Sequence, residues 1–411
     1  MFILHFWIKI FGISQYSVRI LPLLFNSLTT VFIYSTGKKF FSLWCGILAS
    51  AIFILSTYHF YFGLETRAYS MLSMATAVSL YYFLSLVNNF TNRKFLVALV
   101  LANFVLIYSH YFGWFVIFVQ FLTSFLYLDN KKLFRTLLVA TILTCIIFLP
   151  LVPVFIKHFL ISSKGTWVPA PSNSDYLNQL WWFLNTKFAF NIIVLILAGG
   201  IVRILLIKNP IKISRELITV FVWWLVPFTI MFLVSPKMPM FIDRYILFNS
   251  IGLYLFIAAA LHSLYNKTQV FILSVLIMLL MFTQLQINSK AFYYREAQNM
   301  VNKVRSQLNN NSIILIYPYW ADLGFMYYFN RNIYEDFNNY DSLLLKNNIF
   351  HVWNLNEAKK TLEKYQNRRI IYIQDGQSGD NKIFNYLDSI YVQTDRTFYP
   401  QCFNVSVFEL K

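Results

Sequence analysis

Residues 43–88, LWCGILASAIFILSTYHFYFGLETRAYSMLSMATAVSLYYFLSLVN, decide how this chain folds. Two apolar runs, 43–62 and 69–88, are each long enough to cross ~30 Å of hydrocarbon as a helix. Between them stand a single carboxylate, Glu65, and a single guanidinium, Arg67. The pattern is a membrane hairpin with its charge confined to the tip.

Working outward, the same alternation recurs along most of the chain. Ten segments are long and apolar enough to be spans, near 20–37, 43–62, 69–88, 95–110, 112–128, 133–155, 190–207, 216–234, 245–264 and 268–287. The composition agrees: 58% hydrophobic, 19% aromatic and only 12% charged, against about a quarter charged in soluble domains. Residues 1–13 (MFILHFWIKIFGI) are too short to span and predict an interfacial helix within a segment 1–19, with Trp7 at headgroup level.

The net charge of +17 needs no nucleic acid. Lys38-Lys39, Arg93-Lys94, Lys131-Lys132 with Arg135, Lys208 with Lys212 and Arg215, and Lys267 fall in alternate loops, the positive-inside pattern of cytoplasmic loops. The opposite, extracytoplasmic face then receives the Glu65–Tyr69 turn, His110, a long loop at 156–188, the 235–244 loop and the chain after 288. Only 5 of the 17 carboxylates precede position 290. Two physical regimes follow: a polytopic domain at 1–290 and a water-facing domain at 291–411. In the latter, Ile313–Tyr317, Ile349–Trp353, Ile370–Gln374 and Phe403–Phe408 read as strands, and 291–309 and 356–366 as helices. That order predicts a small α/β domain with a mostly parallel sheet. Cys45, Cys145 and Cys402 are scattered and read as structural.

Ionisable residues at the edge of a membrane bundle are functional candidates, and three clusters share the extracytoplasmic face. Glu65-Thr66-Arg67-Ala68-Tyr69 combines a base, a phosphate clamp and an orienting hydroxyl, since a guanidinium donates two parallel hydrogen bonds to phosphate. A Glu–Arg pair that only braces the turn is the competing reading. Ser109-His110-Tyr111 offers a proton carrier or a plain helix cap. Asp243-Arg244-Tyr245, near Lys237, suits a phosphate site or a headgroup anchor. In the 156–188 loop Trp167 offers an aromatic face for a sugar, whereas Trp181 and Trp182 read first as interfacial belt residues. No metal-ligand spacing is visible; a divalent cation would have only Glu65 and His110 to use.

The segments LHFWIKIFGISQYSVRILPLLF, GKKFFS, YFGLETRAYSML, YSHYFGWF, TWVPAPSNSDYLNQL and SPKMPMFIDRYILF, in this order and topological placement, resemble the GT-C membrane glycosyltransferases. The likeness is to bacterial relatives of the protein O-mannosyltransferases and the lipid A aminoarabinose transferases, over residues 4 to 290. It implies a multi-pass protein of the bacterial inner membrane that moves a sugar, with inversion, from a polyprenyl-phosphate donor to an acceptor outside the cytoplasm. Carried over by position, it implies Arg67 and Tyr69 near the donor phosphate, Arg244 and Tyr245 on the other side of the cavity, and His110 beneath. A residue at the place of Glu65 is at best a second acid in relatives, but Glu65 is the nearest carboxylate on that face and is the expected catalytic group; Tyr111, Trp167 and Asp243 are expected around the cavity and acceptor. In that family the principal acid lies in a first external loop, between a first transmembrane helix and the LHFWIKIFG-like segment. The resemblance therefore implies that this chain, read from Met1, lacks both and is an N-terminally truncated form. A flippase for lipid-linked glycans and an inactive membrane scaffold are the rival classes. The absence of internal repeats and of mid-bilayer charge weighs against transport.

Overall fold

The computed structural model describes residues 2–162, 165, 168–207, 213–287, 296–375, 381–399 and 402–410. The chain divides into two compact units, Met1–Ile287 and Asn288–Lys411.

The first unit is helical: α1 Phe2–Phe11, α2 Gln15–Phe40, α3 Leu43–Ile54, α4 Thr57–Phe62, α5 Tyr69–Asn88, α6 Arg93–Ser109, α7 Gly113–Ser124, α8 Lys131–Phe148, α9 Val152–Ser162, α10 Asp175–Phe183, α11 Lys187–Ile207, α12 Arg215–Val234, α13 Asn249–Leu264 and α14 Lys267–Thr283. Among the described residues five helices are long and apolar enough to cross a membrane: α2, α5, the continuous run Lys131–Ser162, α11 and α12. They coincide with five of the ten expected spans. The other five expected spans are carried by shorter or broken helices, and two of these departures show how.

The expected span 43–62 breaks at Leu55-Ser56 into α3 and α4. A break inside an apolar bundle frees backbone groups that only protein can satisfy. Here one side chain does most of it. Asn185 accepts from the Thr57 N–H at 2.8 Å and donates to the Leu55 carbonyl at 2.8 Å and the Met281 carbonyl at 3.1 Å. Asn185 itself sits at φ 68, a left-handed conformation that asparagine tolerates better than most residues. The expected start of the ninth span at 245 is likewise displaced: Asp243–Tyr245 forms a 3-10 turn and α13 begins at Asn249. From there α13 is buried along most of its length, against α3, α11, α12 and α14, which is why it is apolar all round.

Small and polar residues hold the helices together, as they must where lipid is no worse a solvent than protein. Gly37 of α2 meets Gly46 of α3 so closely that a Cβ on Gly37 would lie 2.6 Å from the Gly46 Cα. Buried Ser79, Asn103, Gln120 and Thr144, one each from α5, α6, α7 and α8, form a closed network. Asn103 donates to Gln120 at 2.8 Å and to Thr144 at 3.3 Å; Gln120 donates back to Asn103 at 2.9 Å, and the Ser79 hydroxyl donates to Asn103 at 2.7 Å.

The expected loop 156–188 is substantially helical: α9 runs to Ser162, and α10 occupies Asp175–Phe183. Trp7 donates its indole N–H to the Ser17 carbonyl at 2.9 Å, tying α1 to α2.

The second unit is built on a five-stranded sheet of order β2-β1-β3-β5-β4, with β1 Ser312–Tyr317, β2 Ile349–His351, β3 Arg369–Asp375, β4 Tyr391–Phe398 and β5 Phe403–Leu410. The first three strands are parallel, while β3–β5 and β5–β4 are antiparallel, so the sheet is mixed rather than mostly parallel. The difference comes from β4, YVQTDRTF, an edge strand with five polar side chains of eight and only Tyr391 buried. That composition masked it in the sequence.

Candidate functional site

The expected site residues come from three elements far apart in sequence, and the fold brings most of them to one place. The Gly63–Ala68 turn follows α4 directly, so the break that Asn185 stabilises also aims this turn. Within it the Arg67 N–H bonds the Glu65 carbonyl at 2.8 Å, and the Thr66 hydroxyl donates to the Val18 carbonyl at 3.2 Å. Arg67 is exposed and lies within electrostatic reach of Glu65, Tyr69 and Tyr245. One carboxylate oxygen of Glu65 is buried without a hydrogen-bond partner.

Tyr69, His110 and Tyr245 form a triangle of rings. Their centroids lie 5.9 Å (Tyr69–His110), 6.0 Å (Tyr69–Tyr245) and 5.8 Å (His110–Tyr245) apart. Phe112 closes on it, 5.1 Å from Tyr245, and its N–H donates to His110 Nδ1 at 3.2 Å, which leaves Nε2 as the outward nitrogen. Arg67 and Arg244, 177 positions apart in the numbering, both lie within electrostatic reach of Tyr245.

The segment that carries Asp243, Arg244 and Tyr245 is pinned from two sides. Ser235 Oγ accepts from the N–H groups of Met240 (2.8 Å) and Phe241 (2.7 Å), and the Tyr58 hydroxyl donates to the Asp243 carbonyl. This pinned segment separates two cavities. On one side Met240 and Tyr245, with His110, Tyr111, Phe155 and His158, line an apolar cavity of about 720 Å³. Tyr111 hydrogen-bonds His158 at 3.2 Å there. On the other side Asp243, with Asp175, Asn178, Gln179 and Trp182, lines a polar cavity of about 400 Å³. Burial pushes the Asp243 carboxyl above the usual carboxylate range; Arg244 opposes that shift and the Asp175 carboxylate adds to it.

Asn178, Gln179 and Trp182 were not expected in a polar site, and the signal for them was present. Residues 175, 178, 179 and 182 stand at i, i+3, i+4 and i+7, one face of a helix, in a segment taken as loop. Trp182 packs in a cluster with Tyr58, at 5.4 Å, and with Phe62, facing the cavity where a belt residue was expected. Trp167 lies outside the described residues. Glu65 lines neither of these cavities. Among the described residues no three His, Cys, Asp or Glu side chains come together to hold a metal ion.

No protein-family model matches the chain, and no curated protein matches it by sequence. Solved structures do. The apo crystal structure of ArnT from Cupriavidus metallidurans superposes with a TM-score of 0.66, over 99% of this chain and 86% of ArnT, at 11% identity. The same enzyme bound to undecaprenyl phosphate superposes with a TM-score of 0.61 over the same shares, also at 11% identity. The chain has the GT-C fold. At such low identity the likeness speaks for architecture and leaves residue roles to the geometry. Within this fold, His110 and Tyr245 of the ring triangle line the apolar cavity, Arg67 and Arg244 lie within electrostatic reach of Tyr245, and Asp175 and Asp243 line the polar cavity.

Proposed function

We propose that this protein is an inverting glycosyltransferase that takes a sugar from a polyprenyl-phosphate carrier and passes it to an acceptor on the extracytoplasmic side of the bacterial inner membrane. The observation that carries the reading is that Tyr245, which lines the apolar cavity, has both Arg67 and Arg244 within electrostatic reach. An isoprenoid chain needs an apolar channel, and its phosphate needs cationic donors at the channel mouth. ArnT, whose fold this chain shares, has been solved with undecaprenyl phosphate bound.

In this reading Arg67 and Arg244 take the phosphate oxygens, while Tyr69 and Tyr245 orient them. As the acceptor oxygen attacks the anomeric carbon, the bond to phosphate breaks and its electron pair stays with the phosphate, where the two guanidiniums stabilise the added charge. Glu65 receives the acceptor proton. Asp243, Tyr111 and His110 border the space for sugar and acceptor. The C-terminal unit belongs to the extracytoplasmic side.

Native mass spectrometry of the purified full chain with undecaprenyl phosphate tests this. Arg67→Ala and Arg244→Ala each weaken binding about tenfold or more, as expected for loss of a charge-assisted contact, whereas Arg215→Ala, at the far end of α12, binds as wild type. Equal affinity in all four proteins would remove the phosphate from this site.

A further inference from the structure

The second unit holds a constellation that the transfer reading does not use. His351 ends β2, and Asp322 follows β1 and opens the helix Asp322–Phe329. Both therefore lie beyond the carboxyl ends of parallel strands, where open sheets with crossover connections form their ligand crevices. Asp322 is buried, and His351 Nδ1 donates to its carboxylate at 2.5 Å. An imidazole tethered this way has a fixed ring plane and presents its far nitrogen. His351 Nε2 stops 4.0 Å from Asp341. That is too far for a hydrogen bond.

His351 lines a cavity of about 400 Å³ whose polar side, Asp341, Glu357, Lys360 and Thr361, mixes donors and acceptors and whose other side is apolar, with Leu344 and Phe350. Beside it Tyr319 and Trp353 stack at 3.5 Å and 18°, and Tyr319 lies 6.3 Å from His351. Glu357 fixes the Trp353 backbone by accepting its N–H at 2.9 Å. Yet Trp353 is 59% exposed, so a large, rigid aromatic ring stands in solvent at the edge of a polar pocket. A headgroup anchor requires neither the tethered imidazole nor the pocket. A pyranose uses both: its C–H face packs on the ring while its hydroxyls bond a mixed donor and acceptor set.

We propose that the carboxyl edge of β1 and β2 is a carbohydrate-binding site, with Trp353 on Tyr319 as platform and His351, Asp341 and Lys360 as hydroxyl partners. It is separate from the cavities of the helical unit and does not rest on the transfer reading. Saturation-transfer NMR tests it on the full chain, in a detergent without a sugar headgroup, with maltotriose, chitotriose and mannotriose as probes. At least one trisaccharide receives saturation from wild type. Trp353→Ala and His351→Ala weaken that binding about tenfold with an unchanged thermal transition, while Trp353→Phe, which keeps a ring, retains it. Arg67→Ala also retains it, which separates this site from the other. Absence of transfer to all three probes in wild type overturns the proposal. So does transfer undiminished in Trp353→Ala, or lost in Arg67→Ala.

Discussion

The two ends of helices α7 and α12 carry charge in opposite ways. At one end Arg215 reaches Asp129 with a bidentate pair of contacts at 3.0 and 3.1 Å, exposed and closed on itself. At the other end Arg67 and Arg244 converge on tyrosines beside an apolar cavity, and the Asp243 carboxyl is turned to a different cavity. The first arrangement is an exposed ion pair. The second sets Arg67 within electrostatic reach of Glu65, and Arg244 of Asp243, among tyrosines, one of which lines the apolar cavity. Counting charged residues at a membrane edge does not separate these cases; their surroundings do.

The comparison can be broken at its strongest point first. Arg67→Ala lowers transfer from a polyprenyl-phosphate sugar about a hundredfold, the scale for losing one group aimed at developing charge, with insertion into the membrane intact. Turnover within twofold of wild type would end the assignment. Glu65→Gln loses about a hundredfold in kcat, as for a general base, whereas Asp243→Asn raises KM for the acceptor and keeps kcat. A reversal of those two outcomes would exchange their roles.

Asn185→Ala tests the fold that aims the Glu65 turn. It leaves the Thr57 N–H and Leu55 carbonyl without their partner, at about 1–3 kcal/mol for each unsatisfied group, and lowers the midpoint of thermal unfolding accordingly. A midpoint equal to that of wild type would show that the break at Leu55-Ser56 is held by other means.

A smaller effect is expected from pH in the second unit. The hydrogen bond to Asp322 holds the His351 imidazole above its ordinary range, outweighing the opposite push of burial. A raised value in the folded state stabilises the protonated form. The contribution is complete below about pH 6.5, the unfolded value, and is lost as pH rises through the folded one. The protection factors of the Ser312–Tyr317 amides, which remove the intrinsic rise of exchange with pH, therefore fall across that window in wild type and not in His351→Gln; equal pH dependence in both would dismiss the pair as a contributor. Smallest of all is Arg215→Ala, which leaves activity and stability at wild-type values, because an exposed pair gains little over water.

Much of this was legible along the chain because membranes impose local rules. Span length, basic residues in alternate loops and charge confined to turns each read within a few residues, and they located the Glu65, His110 and Asp243 clusters. Misreadings occurred where local apolarity and final geometry part company. Residues 43–62 carry no Asp, Glu, Lys or Arg, yet the helix breaks at Leu55-Ser56, where Asn185, 130 positions beyond Leu55, satisfies the freed groups. The 156–188 segment carries Pro, Gly and Ser and was taken as loop, so the polar face of α10 went unseen. The edge strand Tyr391–Phe398 escaped because five of its eight side chains are polar, as edge strands allow.

By itself, then, the amino-acid order determined a helical unit rich in apolar spans followed by a small α/β unit, and which few ionisable groups stand in the turns between the apolar runs. Hydrophobic length and charge asymmetry are properties of short stretches, so no folded partner is needed to read them. Tertiary structure alone decided that Arg67 and Arg244 share one tyrosine, that one segment walls two cavities of opposite character, and that His351 faces a pocket beside an open aromatic stack. Those relations are distances between residues remote in the chain, and only packing sets them.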